Sequence, residues 1–219
     1  MDLQIAANFK SIRILQTNFS NLVRGVVVTL IESFRRITLL SQEMMKTVIN
    51  SGDSVIDATV GTGEDTCFLA RQVGKTGKVY GFDIQLQAIQ ATRLKLEEQK
   101  LLQQTDLFLT GHEKMDEIFD LKNDSKIKGI MFNLGYLPQG DDGIFTKVDT
   151  TLQALEKAID LLAPKGLITL CLYRHPYGIL ESQAVERYCR KLTIGFNVHK
   201  IETINKNDPP YLIAVEKTK

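Results

Sequence analysis

From Ser54 onward the chain alternates short apolar runs with longer stretches of helical character. That alternation is the pattern of βαβ units, in which a parallel sheet is wrapped by crossover helices. The first run, Ser54-Val55-Ile56-Asp57-Ala58, leads into a turn with Gly61 and Gly63 and then a helix from about Glu64 to Val73. After Gly74 and Gly77 a second strand, Lys78 to Phe82, ends at Asp83. A helix from about Gln85 to Gln99, a third strand from Thr105 to Leu109 and a short helix from His112 to Phe119 follow. A fourth strand, Ile127 to Phe132, ends at Asn133, and a polar loop with Pro138, Gly140 and Gly143 leads to a helix from about Thr150 to Leu162. Pro164-Lys165-Gly166 is expected to turn the chain into a fifth strand, Leu167 to Tyr173, followed by a helix from Glu181 to Leu192. Two tail strands, about Phe196 to Ile204 and Tyr211 to Glu216, flank a hairpin-like Asn207-Asp208-Pro209-Pro210 connection.

Strands ending in chemistry-bearing residues locate the working edge. Asp57 closes the first strand, two glycines follow, and Asp83 closes the second strand about twenty residues on. Glycines let the backbone pass close to a ligand, and the helix that opens there offers unpaired N–H groups. A dinucleotide fingerprint needs a third glycine where Thr66 stands, so a dehydrogenase is disfavoured. The arrangement resembles the class I methyltransferases. It leads to the expectation of a Rossmann-like α/β fold: a seven-stranded, mostly parallel sheet with the last strand antiparallel and helices on both faces. There the loop would wrap the methionine part of S-adenosylmethionine, Asp57 would approach its ammonium through water, and Asp83 would hold the ribose hydroxyls. His112 follows the third strand and is expected either beside the adenine or simply at a helix start.

The fourth strand ends in Asn133-Leu134-Gly135-Tyr136-Leu137-Pro138. This resembles the Asn-Pro-Pro-Tyr loop of amino-methyltransferases, in which an amide and backbone carbonyls accept the hydrogens of a substrate amine. Methyl transfer then needs little beyond delivery of a neutral, desolvated amine in line with the methyl group. Asn133 is the candidate to orient the lone pair, and Tyr136 to pack on the acceptor. A plain strand-terminating turn would use the same residue types.

Composition narrows the partners. A formal net charge of +1 argues against a general nucleic-acid coat protein but leaves room for an enzyme that grips one folded RNA locally. Cys67, Cys171 and Cys189 fit neither a disulfide framework nor a zinc ribbon, and His112, His175 and His199 lack ligand spacing, so no metal is expected. No secretory signal or membrane span is legible, and a cytoplasmic location is expected. Residues 1–36 form a separate basic extension with Val23, Val26, Val27, Leu30, Ile31 and Phe34 at roughly helical spacing. A helix packed on the sheet, an RNA-contacting arm and a dimerising arm are its alternatives, and residues 37–219 form the catalytic domain.

Taken together, Asp57-Ala58-Thr59 with Gly61-x-Gly63, Asp65-Thr66, Phe82-Asp83-Ile84-Gln85, Gly111-His112-Glu113, the Asn133 to Pro138 run with Gly140-Asp141, Thr150-Thr151 with Ala154-Leu155, and Pro209-Pro210-Tyr211-Leu212 carry a specific resemblance. The chain resembles the bacterial methylases long grouped as rRNA methylases, whose better-defined members are the MnmM-type tRNA wobble-uridine methyltransferases. The resemblance spans roughly Leu39 to Lys217. It implies S-adenosylmethionine as cofactor and methylation of the primary amine of 5-aminomethyl(-2-thio)uridine in the tRNA anticodon loop. It also implies cofactor contacts from Asp57, Thr59, Gly61, Gly63, Asp65, Thr66, Asp83, Gln85, His112 and Asn133. Substrate contacts would come from Leu134, Gly135, Tyr136, Pro138, Asp141 and His175. An rRNA or small-molecule N-methyltransferase on the same fold is the alternative. The chain departs from the family at Tyr173-Arg174-His175-Pro176-Tyr177-Gly178, where a longer glycine-rich stretch is usual, and at Gln139, where a glycine is usual.

Overall fold

A computed structural model describes residue 34 and residues 36–119, 127–135, 146–174 and 178–219. Seven strands form one sheet: β1 (Ser54–Asp57), β2 (Lys78–Asp83), β3 (Thr105–Leu109), β4 (Ile127–Leu134), β5 (Leu162–Leu172), β6 (Phe196–Glu202) and β7 (Tyr211–Lys217). Their spatial order is β3-β2-β1-β4-β5-β7-β6. All pairs from β3 to β5 are parallel, while β7 runs antiparallel to both β5 and β6. The last strand therefore inserts between its neighbours, as the sequence pattern suggested. The strand order reverses at β1 and β4, which opens a crevice at their carboxyl ends.

Alternation along the strands sorts the core onto two faces. Ile56, Ile130, Phe132, Ile168, Ile213 and Val215 belong to one apolar cluster, with residues of α4 (Val148–Leu161) and α5 (Gly178–Cys189). Val55, Val79, Met131, Leu167 and Ala214 belong to the other, with residues of α2 (Glu64–Val73) and α3 (Leu86–Glu98). That second face also carries α1 (Ile37–Lys46), whose Met45 is fully buried.

The main differences from the sequence expectation have local causes. Helix α1 was not foreseen: it starts at Arg36 without a side-chain cap and has no acidic residue in its first turn, so no start signal marks it. The expected turn at Pro164 to Gly166 lies within β5, as a register irregularity between the pairs Ile127–Leu162 and Gly129–Leu167. Lys165 takes φ 57° there, and a Cβ on Gly166 would lie 2.7 Å from the Ala163 carbonyl oxygen. The short helix after β3 is a 3-10 helix, His112–Glu117. Helix α4 begins two residues before the expected Thr150, and α5 begins at Gly178 rather than Glu181. The Lys217 ammonium donates 2.8 Å to the Leu162 carbonyl, closing the carboxyl end of α4.

Candidate active site

The loop between β1 and α2 is built by two glycines and held by two carboxylates. Gly61 takes φ 50° and Gly63 takes φ 79°, a region that favours glycine. Asp83, at the end of β2, accepts the Gly61 N–H at 2.8 Å and the Gln85 N–H at 2.9 Å. Both carboxylate oxygens thus fix backbone around the loop and retain further lone pairs for hydroxyl donors. Asp57 is buried, accepting the Thr66 hydroxyl at 2.6 Å and the Thr59 N–H at 3.1 Å.

Burial, with the charges of Asp65 and Asp83 adding to it, raises the Asp57 carboxyl to about 7 against the two hydrogen bonds. Asp65 is raised as well, chiefly by burial, while the Gln42 amide opposes the shift with a 2.7 Å hydrogen bond. Carboxylates that resist ionising together are the electrostatic complement of a cation. The ammonium and sulfonium of S-adenosylmethionine fit that requirement. Among the described residues no group of three or more His, Cys, Asp or Glu has the arrangement of a metal site.

His112 follows β3 as a buried residue whose Nδ1 lies 3.1 Å from the Ala58 carbonyl oxygen. Burial lowers its pKa, so the ring is neutral and Nδ1 carries the donated proton. The contact ties the residue directly before the glycine loop to the segment after β3.

Thr59 joins the loop to the tip of β4, its hydroxyl accepting the Asn133 N–H at 2.7 Å. In β4, Met131 and Asn133 alternate onto one face, and their register partners are Asp57 in β1 for Met131 and Cys171 in β5 for Asn133. The Asn133 side-chain oxygen is buried and, among the described residues, is the sole buried side-chain polar atom without a hydrogen-bond partner. An orphaned buried acceptor at the carboxyl edge of a sheet is a candidate to receive a ligand's donor. Leu134 is buried; Gly135 follows it, and a Cβ on Gly135 would lie 3.7 Å from the Tyr173 ring. Tyr136, Pro138, Asp141 and His175 lie outside the described residues.

Three supporting residues were not anticipated. Thr92 of α3 donates to the Gly61 carbonyl at 3.3 Å, and Lys95 donates to the Thr62 carbonyl at 2.8 Å and pairs with Glu64 at 2.6 Å. Gln42 of α1 holds Asp65 from the other side. All three act over more than twenty residues of sequence, so no local motif could reveal them.

Comparison with known proteins agrees with this geometry. The family described as "Putative rRNA methylase" matches residues 79–216. A chloroplastic tRNA (mnm(5)s(2)U34)-methyltransferase of Arabidopsis thaliana is 36% identical over 193 residues, covering 84% of this chain and 70% of that protein. A solved rRNA-methylase structure from Clostridium thermocellum is 41% identical with a TM-score of 0.77, covering 81% of this chain and 95% of that one. A Streptococcus mutans methyltransferase in complex with SAH is 34% identical with a TM-score of 0.75, covering 83% of this chain and 98% of that one. The sheet order, the glycine loop and these relatives define an S-adenosylmethionine-dependent methyltransferase of the Rossmann-like class. Within that class the chain belongs to the rRNA methylase family. No helix among the described residues is long and apolar enough to cross a membrane.

Proposed function

We propose that this enzyme methylates the primary amine of 5-aminomethyl(-2-thio)uridine at the wobble position of tRNA, giving the 5-methylaminomethyl form. The observation that carries the reading is the orphaned Asn133 side-chain oxygen at the tip of β4. An amide oxygen that accepts an N–H from a neutral amine leaves the nitrogen lone pair free to face the methyl group. A carbon acceptor has no N–H or O–H to offer it. The relative in Arabidopsis thaliana is named for the corresponding wobble uridine, which supports the same acceptor.

On this reading the labour divides between a cofactor side and an acceptor side. Asp57 and Asp65 receive the positive amino-acid end of the cofactor, Gly61 and Gly63 let the backbone approach it, Asp83 takes the ribose hydroxyls, and His112 stands at the adenine end. The bound cofactor supplies an electrophilic methyl group on sulfur. Asn133 and Gly135 hold the amine in line, and Tyr136, Pro138, Asp141 and His175 are assigned to the acceptor side with the anticodon loop.

The test is to incubate the purified protein with labelled S-adenosylmethionine and tRNA from cells lacking 5-methylaminomethyl groups, then to analyse the nucleosides. Label in the methylaminomethyl uridine is the expected result. Label in rRNA or free amines, with none in tRNA, overturns this acceptor and favours the alternative on the same fold.

A further inference from the structure

Glu181 is a carboxylate only 3% exposed, in the first turn of α5. Both of its oxygens are engaged. Thr146 donates its hydroxyl to Oε2 at 2.7 Å, and Thr151 of α4 donates its hydroxyl to Oε1 at 2.6 Å. Thr146 also donates its backbone N–H to the Gly135 carbonyl at 3.2 Å. The two ends of the segment between Gly135 and Thr146 are therefore joined, and Glu181 ties that junction to two helices.

Helix α5 is itself fixed to the sheet. The buried Tyr211 of β7 donates its hydroxyl to the Ser182 carbonyl at 3.0 Å. Glu181 is also felt at the cofactor edge, where its charge opposes the fall that burial imposes on the His112 pKa. A buried carboxylate is costly unless its lone pairs are satisfied, and an apolar side chain would fill the same space without that cost. What the carboxylate adds is direction, because two hydroxyls are brought to fixed points on one planar group.

We propose that Glu181 is a positioning residue for the acceptor side, holding Thr146 against the Gly135 carbonyl at the tip of β4 beside Asn133. This rests on the reading of Asn133 and Gly135 as the amine-binding edge. The role predicts a defect in catalysis separate from cofactor binding.

Thr146→Val and Glu181→Gln are compared with wild type for methyl transfer to tRNA under saturating cofactor and for SAH affinity by calorimetry. Each variant lowers kcat about tenfold or more, the loss expected for a charge-assisted hydrogen bond, while the SAH Kd stays within about twofold. Thr146→Ser, which restores the hydroxyl, recovers most of the rate. Thr146→Val at wild-type kcat, or a parallel loss of SAH affinity in both variants, overturns the proposal. Thr146 is partly exposed, so its substitution tests the idea even if Glu181→Gln fails to fold. If wild type transfers no methyl group to tRNA, the acceptor reading fails by itself, and the clamp is read instead by hydrogen exchange of the residue 146 amide, which donates to the Gly135 carbonyl. Exchange several-fold faster in Thr146→Val, but not in Thr146→Ser, supports the clamp, and equal rates in all three proteins overturn it.

Discussion

Gly63→Ala tests the packing logic of the cofactor loop with a single methyl group. At φ 79° an alanine carries left-handed backbone strain of about 1–2 kcal/mol. Its Cβ would also lie 2.5 Å from Thr92 Oγ1 and 2.8 Å from Thr92 Cγ2, on a residue with no exposed surface. Relieving such a contact in a packed interior costs about 1–3 kcal/mol. The stiffer unfolded chain returns about 0.5–1 kcal/mol, so the net destabilisation is about 1–4.5 kcal/mol. For a chain of this size that corresponds to a fall in Tm of roughly 2–18 °C.

The cause is separable. Thr92→Ala removes Oγ1 and Cγ2 and by itself costs about 1 kcal/mol, mostly the hydrogen bond to the Gly61 carbonyl. In the double variant most of the steric part of the Gly63→Ala penalty is relieved, since only the 3.0 Å contact with the residue 92 Cβ is left, and the backbone strain remains. The double variant is therefore more stable than the sum of the singles predicts, by about 1–3 kcal/mol. Scanning calorimetry of the four proteins measures this, and SAH titration shows whether affinity follows the same cycle. Additivity within about 0.5 kcal/mol would refute the claim that Gly63 is required by its contact with Thr92.

Asp57 predicts two opposite pH trends. A carboxyl raised from 3.8 to about 7 binds more protons in the folded apo-protein, so its contribution to stability is present below pH 4 and lost as pH rises through 7. Cofactor affinity moves the other way: an ammonium favours the ionised carboxylate, so SAH binds more tightly from pH 6 to pH 8 with net proton release. Calorimetry in buffers of different ionisation enthalpy reads that release, and Asp57→Asn should abolish it. Asn133→Ala is expected to lower kcat about 10- to 100-fold, the value of a hydrogen bond in a desolvated site, with the SAH Kd changed less than about threefold. A proportional loss of both would place Asn133 on the cofactor instead. Thr66→Val should weaken SAH binding about tenfold by freeing the Asp57 carboxyl from its 2.6 Å hydroxyl donor, and an unchanged Kd would remove Thr66 from the site.

What the sequence made legible is what local chemistry encodes. Asp57, Gly61, Gly63 and Asp83 stand at strand ends followed by turns, and the hydrogen bonds from Gly61 and Gln85 to Asp83 show why an acidic residue belongs there. The placement of Asn133, Leu134 and Gly135 was legible because the end of an apolar strand coincides with the carboxyl edge of the sheet. The buttresses were not legible. Thr92 and Lys95 read as ordinary residues of a solvated helix, and their roles arise only when α3 packs beside the glycine loop. Helix α1 was missed although Leu40, Met44 and Met45 are suitably spaced, because the chain enters it without a capping residue. Thr146 and Glu181 are 35 residues apart and share no motif. Nothing in the sequence distinguishes this buried glutamate from the solvated acids usual in a first helical turn.

On the proposed assignment, these anchors divide the active edge into a cofactor side and an acceptor side that can vary separately. The cofactor side is tied down from one face of the sheet by α1, α2 and α3, through Gln42, Thr66, Thr92 and Lys95. The acceptor side is tied down from the other face by α4 and α5, through Thr151 and Glu181. They meet where Thr59 accepts the Asn133 N–H and His112 reaches the Ala58 carbonyl. Changes confined to the contacts of α4 and α5 are therefore expected to alter the acceptor side without disturbing the cofactor loop. Only a change at Thr59 or His112 should move cofactor affinity and turnover together. Thr59→Val is the sharpest case: losing the 2.7 Å acceptor for the Asn133 N–H leaves a backbone donor unpaired between the two halves. SAH affinity and kcat should then fall in the same variant, by about tenfold each, whereas Thr146→Val should separate them.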